Sequence, residues 1–144
     1  MAKSLRLEIV TPERLFYEGE VELVIVRTLT GDEGFMAGHM WGCKLLDTGE
    51  LWLKEKGSKD YKVAAVSEGF IDVKDMITIF TDAAEWPEEI DMERSMTKKE
   101  LAETFLKSHK EKDTDREEWK HSRVSLMKSI TRMNVAAGGS LKRK

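Results

Sequence analysis

Tyr61-Lys62-Val63-Ala64-Ala65-Val66, Phe70-Ile71-Asp72-Val73 and Met76-Ile77-Thr78-Ile79-Phe80-Thr81 decide the fold class. These runs are short, rich in β-branched and aromatic residues, and separated only by Ser67-Glu68-Gly69 and the polar Lys74-Asp75. A helix needs a longer apolar-periodic stretch than any of them offers, whereas a strand does not. Working back toward the start, Leu51-Trp52-Leu53-Lys54 ends in the turn signal Lys56-Gly57-Ser58. Val21 to Leu29 is another β-branched run and closes at Thr30-Gly31-Asp32. Leu5-Arg6-Leu7-Glu8-Ile9-Val10 alternates and stops at Thr11-Pro12, where proline cannot donate to a ladder. Many short strands with no helical period among them predict an all-β sandwich or barrel over residues 1–86.

The regime changes at Trp86-Pro87. No proline follows, and Glu, Lys, Met, Ala and Leu dominate, all good helix formers. Leu101, Ala102, Phe105 and Leu106 share one face of a first helix, with Ile90 and Met92 further up it. Asp113-Thr114-Asp115 interrupts, and either aspartate suits the cap of a second helix. That helix lines up Trp119, Leu126, Met127, Ile130 and Met133. Both stripes are narrow, so the helices must pair or dock to be stable. The expected division is a β domain over 1–86, a helical pair over 87–136 and an unstructured basic tail over 137–144.

Charged residues make up 35% of the 144-residue chain, above the usual quarter or so, and the net charge is −3. The two parts differ in sign. Through Trp86 there are ten basic and sixteen acidic residues, and from Pro87 fourteen basic and eleven acidic. A sequence pI near 5.7, without basic strands carrying interleaved aromatics, argues against nucleic acid as a partner. The single cysteine, Cys43, excludes an internal disulfide and a cysteine-rich zinc site. No apolar run reaches the roughly 18 residues of a membrane span, and the first residues lack the pattern of a signal peptide.

Nothing in the sequence assembles a catalytic constellation. HExxH, GxSxG and Walker-type loops are absent. His39 has no nucleophile or orienting group at a telling spacing, and a loop histidine bonded to backbone is the simpler reading. Glu88-Glu89-Ile90-Asp91 suits the dipole of a helix start better than a metal. The expectation is therefore a chain with no catalytic residues and no metal site.

Three segments in order carry a family resemblance. They are Leu7-Glu8-Ile9-Val10-Thr11-Pro12-Glu13-Arg14, then Gly31-Asp32-Glu33-Gly34-Phe35 with Gly38-His39, then Ala65-Val66-Ser67-Glu68-Gly69-Phe70-Ile71-Asp72-Val73 leading into Ile77-Thr78-Ile79-Phe80-Thr81-Asp82-Ala83-Ala84-Glu85. Together they resemble the epsilon subunit of bacterial and chloroplast F-type ATP synthase, in register over residues 5–95 and more loosely to about 135. The resemblance implies a flattened β-sandwich of about ten strands followed by an antiparallel two-helix hairpin. It also implies the family's role. The sandwich couples the gamma subunit to the c ring in the rotor, and the C-terminal helices reach the alpha and beta subunits to inhibit ATP hydrolysis. Membrane association would be indirect, on the cytoplasmic face of a bacterial inner membrane or the stromal face of a thylakoid.

Residue roles follow by the same route. Asp32, Glu33 and His39 match the part of the sandwich that faces the c ring, with the shaping of a turn as the competing account of this glycine-rich stretch. Met36-Ala37-Gly38-His39 lacks the family's proline before the histidine. Ile90-Asp91-Met92-Glu93-Arg94-Ser95 is similar to the segment that binds regulatory ATP in some members, with Ser95 in place of alanine. There Asp91 would accept from the adenine amino group and Arg94 would face phosphate, helped by Lys128 and Arg132 one turn apart on the second helix. Helix capping by Asp91 is the alternative. No cofactor is required under either account. A reading of another class, a free-standing nucleotide-sensing protein, uses the same residues without a rotor.

Overall fold

The computed structural model describes residues 3–110 and 115–140, and the chain divides into two compact units, Met1–Trp86 and Pro87–Lys144. The first holds nine strands among its described residues: β1 (Leu5–Val10), β2 (Leu15–Thr28), β3 (Gly31–Phe35), β4 (Gly42–Leu46), β5 (Gly49–Glu55), β6 (Tyr61–Val66), β7 (Gly69–Val73), β8 (Ile77–Thr81) and β9 (Ala84–Glu85). They form a sandwich whose layers share one strand. The first half of β2 pairs with β1, which lies parallel to β8, and β7 and β4 complete that layer. The second half of β2 pairs with β3 and β5, and β6 and β9 follow.

Strand β2 can serve both layers because its register shifts between Val21 and Leu23. Tyr17 and Val21 point inward before the shift, and Val24, Val26 and Thr28 after it. One extra residue reverses which parity faces the core, as a bulge must. The inward side chains include Leu7, Ile9, Val21, Val24, Val26, Leu51, Leu53, Ile71, Ile77 and Ile79, all fully buried in one cluster. The alternation along β1, β7 and β8 is thus the alternation of a two-sheet core.

One position in this unit is fixed by space. A Cβ on Gly69 would stand 1.8 Å from the Phe80 carbonyl oxygen, so only glycine fits where β7 meets β8. Next to it Thr81 donates its hydroxyl to the Ser67 carbonyl at 2.8 Å, holding the β6–β7 turn on the end of β8. Trp86, the last residue of the unit, stacks on Phe16 at 4.5 Å between ring centroids and meets Tyr17 edge-on at 6.1 Å.

The second unit begins with a single 3-10 turn at Pro87–Glu89 and continues as α1 (Met92–Ser108) and α2 (Arg116–Ala136), which pack on each other. Asp91 caps α1 by accepting from the Arg94 N–H at 3.0 Å. Asp115 caps α2 through the Glu117 N–H, also at 3.0 Å, while Asp113 lies outside the described residues. Ala102 is buried as expected and Phe105, Leu106, Trp119, Leu126, Ile130 and Met133 are half-buried, but Leu101 is 67% exposed. Val135, absent from the expected stripe, is fully buried.

The start of the expected tail is structured. Gly138 and Gly139 take positive φ, and their N–H groups donate to the Val135 and Asn134 carbonyls at 2.9 and 2.8 Å. A left-handed glycine pair that satisfies the last carbonyls is a helix stop, so residues 137–140 end α2. Residues 141–144 of the expected tail lie outside the described residues.

Candidate functional site: an apolar row across the first sheet

Cross-strand register builds a surface that no single segment announces. Leu45 on β4 pairs with Phe70 on β7, Phe70 with Phe80 on β8, Phe80 with Val10 on β1, and Val10 with Leu15 on β2. The inward positions beside them are Leu46, Ile71, Ile79 and Ile9, so these five lie on the outer face. Leu45 is 62% exposed, Leu15 50%, Phe80 40% and Phe70 38%. The two phenylalanine rings stack at 4.9 Å. At the usual strand spacing the row runs about 19 Å across five strands. Scattered exposed apolar residues need no explanation, but a contiguous row rimmed by charge marks an interaction surface.

The next row along the strands is that rim. Cys43, Asp72, Thr78, Glu8 and Glu18 are opposed in sequence across the same five strands. Glu8 and Glu18 face each other directly, and Arg6 bridges them at 3.7 and 2.9 Å. Lys74 lies 3.7 Å from Asp72. These exposed ion pairs add little stability, but they border the apolar row with a mainly acidic edge.

The other charged groups of the sandwich are mostly engaged internally. The Tyr17 hydroxyl donates to Glu55 at 2.9 Å, and Lys62 lies 3.0 Å from the other oxygen of the same carboxylate. Burial, and then the carboxylate beside it, push the Tyr17 pKa well up. The hydrogen bonds from Lys62 and Tyr17 hold the Glu55 carboxyl below its ordinary value. The Gly57 N–H does the same for Glu22, with Lys54 assisting. Arg27 is held further protonated by its hydrogen bond to Asp32.

The residues matched to the c-ring face fall on two structures. Gly31–Phe35, the first part of that glycine-rich stretch, is strand β3, with Asp32 opposite Arg27 and Glu33 opposite Val26. The strand forms despite its glycines because Gly31, at φ 127°, turns the chain, and at Gly34 an added Cβ would stand 3.2 Å from the Leu23 side chain. Asp32 is paired with Arg27, and both Glu33 oxygens take the Lys44 ammonium at 2.7 and 2.8 Å. His39 lies beyond the far end of β3 in a turn closed by its own N–H to the Met36 carbonyl, its ring 4.7 Å from Phe35. Asp32 and Glu33 are thus neighbours on one strand, and His39 stands apart from them.

In the helical unit Asp91 is engaged as the α1 cap and Arg94 is exposed on the first turn. Ile90 is half-buried, and its N–H reaches the Pro87 carbonyl at 3.3 Å. Lys128 and Arg132 are half-buried on α2, against which the Pro87–Glu89 turn also lies. Among the described residues the geometry pairs no nucleophile with an oriented base. Ser108 Oγ is 3.0 Å from His109 Nδ1, but the hydroxyl also donates to the Thr104 carbonyl and the ring nitrogen lies 3.0 Å from the Phe105 carbonyl. That is a helix end closing on itself. Among the described residues no group of three His, Cys, Asp or Glu side chains is placed to hold a metal, and no helix is long and apolar enough to cross a membrane.

Comparison with known proteins converges on one family. Residues 4–87 match the family model described as ATP synthase, Delta/Epsilon chain, beta-sandwich domain. The ATP synthase epsilon chain of Alkaliphilus oremlandii is 49% identical over 107 residues, 74% of this chain and 78% of the relative. That of Caldanaerobacter subterraneus subsp. tengcongensis is 39% identical over 139 residues, 95% of this chain and 96% of the relative. Among solved structures, a chain of the Euglena gracilis mitochondrial ATP synthase, described as OSCP/F1/c-ring, superposes with a TM-score of 0.75. It is 24% identical, over 89% of this chain and 78% of that one, and shows a shared fold. A chain of the Tetrahymena thermophila mitochondrial ATP synthase, described as central stalk/cring, gives a TM-score of 0.56 at 13% identity, over 90% of this chain and 97% of that one. With its sandwich matched throughout and relatives aligned along most of its length, the chain belongs to the ATP synthase epsilon-chain family, as a non-catalytic subunit.

Proposed function

We propose that the chain works in the rotor of a proton-translocating F-type ATP synthase, where its sandwich joins the gamma subunit to the c ring. The observation that carries this is the exposed row Leu45–Phe70–Phe80–Val10–Leu15 with its charged rim, the anatomy of a protein interface with an apolar centre. Gamma is assigned to that row. The c ring is assigned to Asp32, Glu33 and His39 and the turn that joins β3 to β4. The complex would hold the chain at the cytoplasmic face of a bacterial membrane without any segment entering it.

The test is binding of gamma by a Phe70→Ser/Phe80→Ser variant of the full chain. Both rings are more than a third exposed, so the sandwich should melt close to the parent while affinity falls at least tenfold. Unchanged affinity in a folded variant overturns the assignment.

The helices supply regulation. Lys98, Lys99, Lys107, Lys120, Arg123 and Lys128 give them a basic surface suited to an acidic segment of the beta subunit. Deleting residues 87–144 should then raise ATP hydrolysis by the assembled enzyme while gamma stays bound. Regulatory ATP is assigned to Ile90, Asp91, Arg94, Lys128 and Arg132. Asp91 caps α1 through one carboxylate oxygen, so adenine recognition would use the other. Calorimetric titration of the isolated protein with ATP to millimolar concentration, showing no heat, would remove that assignment.

A further inference from the structure

Strand β4 is exposed at Gly42, Cys43, Lys44 and Leu45 and buried only at Leu46. On one side it pairs along its whole length with β7. On the other, pairing is confined to Leu46 opposite Thr28, where the Asp47 N–H also donates to the Arg27 carbonyl at 2.9 Å. Peptide groups alternate direction along a strand. Since Asp47 points away from β7, so do the N–H groups of Leu45 and Cys43 and the Cys43 carbonyl. Among the described residues no strand pairs with them there. The edge strand of the other layer, β3, meets β4 at the Glu33–Lys44 ion pair, 2.7 Å, and through the connecting turn, and its own ladder runs to β2.

Proteins usually blunt such an edge with proline, an outward lysine or a covering segment. Here there is no proline, and Lys44 is drawn onto Glu33. The residues around the open groups are apolar and exposed instead: Leu45 at 62%, Trp41 at 66%, Met40 at 84% and the free thiol of Cys43. An open edge beside an apolar face is what a docking strand uses, its backbone supplying affinity and its alternate side chains specificity.

We propose that an extended segment of gamma adds to the first sheet along the free edge of β4. This rests on the reading that gamma covers the apolar row, because Leu45 is both the end of that row and a member of the edge. The added strand would place apolar side chains beside Cys43 and Leu45, continuing the row.

The experiment uses the full chain and purified gamma. Cys43→Pro removes an N–H directed away from β7 and leaves that ladder whole, whereas Cys43→Ser keeps the N–H. The proline variant should fold and bind gamma at least tenfold more weakly, with the serine variant near the parent. The Cys43 and Leu45 amides should exchange with solvent at least tenfold more slowly in the complex. Parent-like binding by a folded Cys43→Pro, or unchanged exchange of both amides in the complex, overturns the added strand. Should Cys43→Pro not fold, amide exchange alone decides. If the Phe70→Ser/Phe80→Ser variant binds normally too, the fault lies with the gamma reading itself.

Discussion

The sandwich and the helical pair are stabilised in opposite ways. The sandwich buries whole Leu, Ile, Val and Phe side chains in one cluster. In the helices, the residues that become buried are Ser95, Ala102, Ser129, Thr131 and Val135, four of them small or polar. Removing a leucine or isoleucine side chain from water is worth about 2 kcal/mol, an alanine or serine far less. The helices carry further weaknesses. Within α1 the hydroxyls of Ser95, Thr97, Thr104 and Ser108 donate to carbonyls four residues back, a contact that competes with the ladder. The Ser129 hydroxyl is buried without a hydrogen-bond partner among the described residues. The lesson is a division of labour: the β unit has a core that fixes its shape, and the helices have little intrinsic reason to keep one arrangement.

The strongest way to break that contrast is at Gly69. A Cβ there must displace the Phe80 backbone, because its contact would be 1.8 Å with a carbonyl that cannot swing away. Gly69→Ala should cost on the order of 4 kcal/mol or more, read as loss of cooperative unfolding or of soluble protein. Next in size, Leu53→Ala should cost roughly 3 kcal/mol by cavity formation in the sandwich. Alanine at Leu101, 67% exposed on α1, should stay within about 0.5 kcal/mol. Equal shifts in urea midpoint for these two leucines would erase the distinction between the units.

Asp91→Ala probes the soft unit directly. Losing the cap on the Arg94 N–H should cost about 1 kcal/mol, confined to the first turn of α1. Amide exchange should quicken at residues 92–95 and stay unchanged along β1 and β8. Because the cap and the assigned ATP contact share one carboxylate, Asp91→Asn sharpens the reading: it preserves capping, so any change in ATP titration reports the ligand.

What could be read from the sequence depended on whether the information was local. β1, β7 and β8 alternate within themselves, so their inward residues were legible. The first half of β2 was not, because Glu18-Gly19-Glu20 looks like a break. In the structure Gly19 makes room for the Tyr17 hydroxyl, which would sit 2.8 Å from a Cβ at that position. β3 and β4 were hidden likewise, the first by its glycines and the second by lacking any alternation of burial. The apolar row was out of reach for a different reason. Leu45, Phe70, Phe80, Val10 and Leu15 are brought together by four pairings, and register between strands is not written in any one of them. Asp32, Glu33, Asp91 and Arg94 were singled out through resemblance alone, and the ion partners of the first two, Arg27 and Lys44, were not.

The smallest effect distinguishes the two units by pH. Tyr17, Glu55 and Lys62 pin β2 to β5 and β6 within the sandwich. The Tyr17 pKa is raised on folding, so its contribution is complete below the ordinary tyrosine value of 10.0 and is lost as pH rises beyond it. The Glu55 pKa is lowered, so its contribution is complete above the ordinary 4.5 and is lost as pH falls. Together they give a plateau between those limits with a decline on each side. Both declines should be under about 1 kcal/mol, since the pair is partly open to solvent. Tyr17→Phe removes one donor to Glu55 and the phenol proton that is lost on the alkaline side. Urea midpoints of the variant should therefore fall less than the parent's between pH 9 and 11, roughly, and follow it more closely on the acid side, where Lys62 still holds Glu55. An alkaline decline of the same size in both proteins would show that this contact contributes nothing to the stability of the rigid unit.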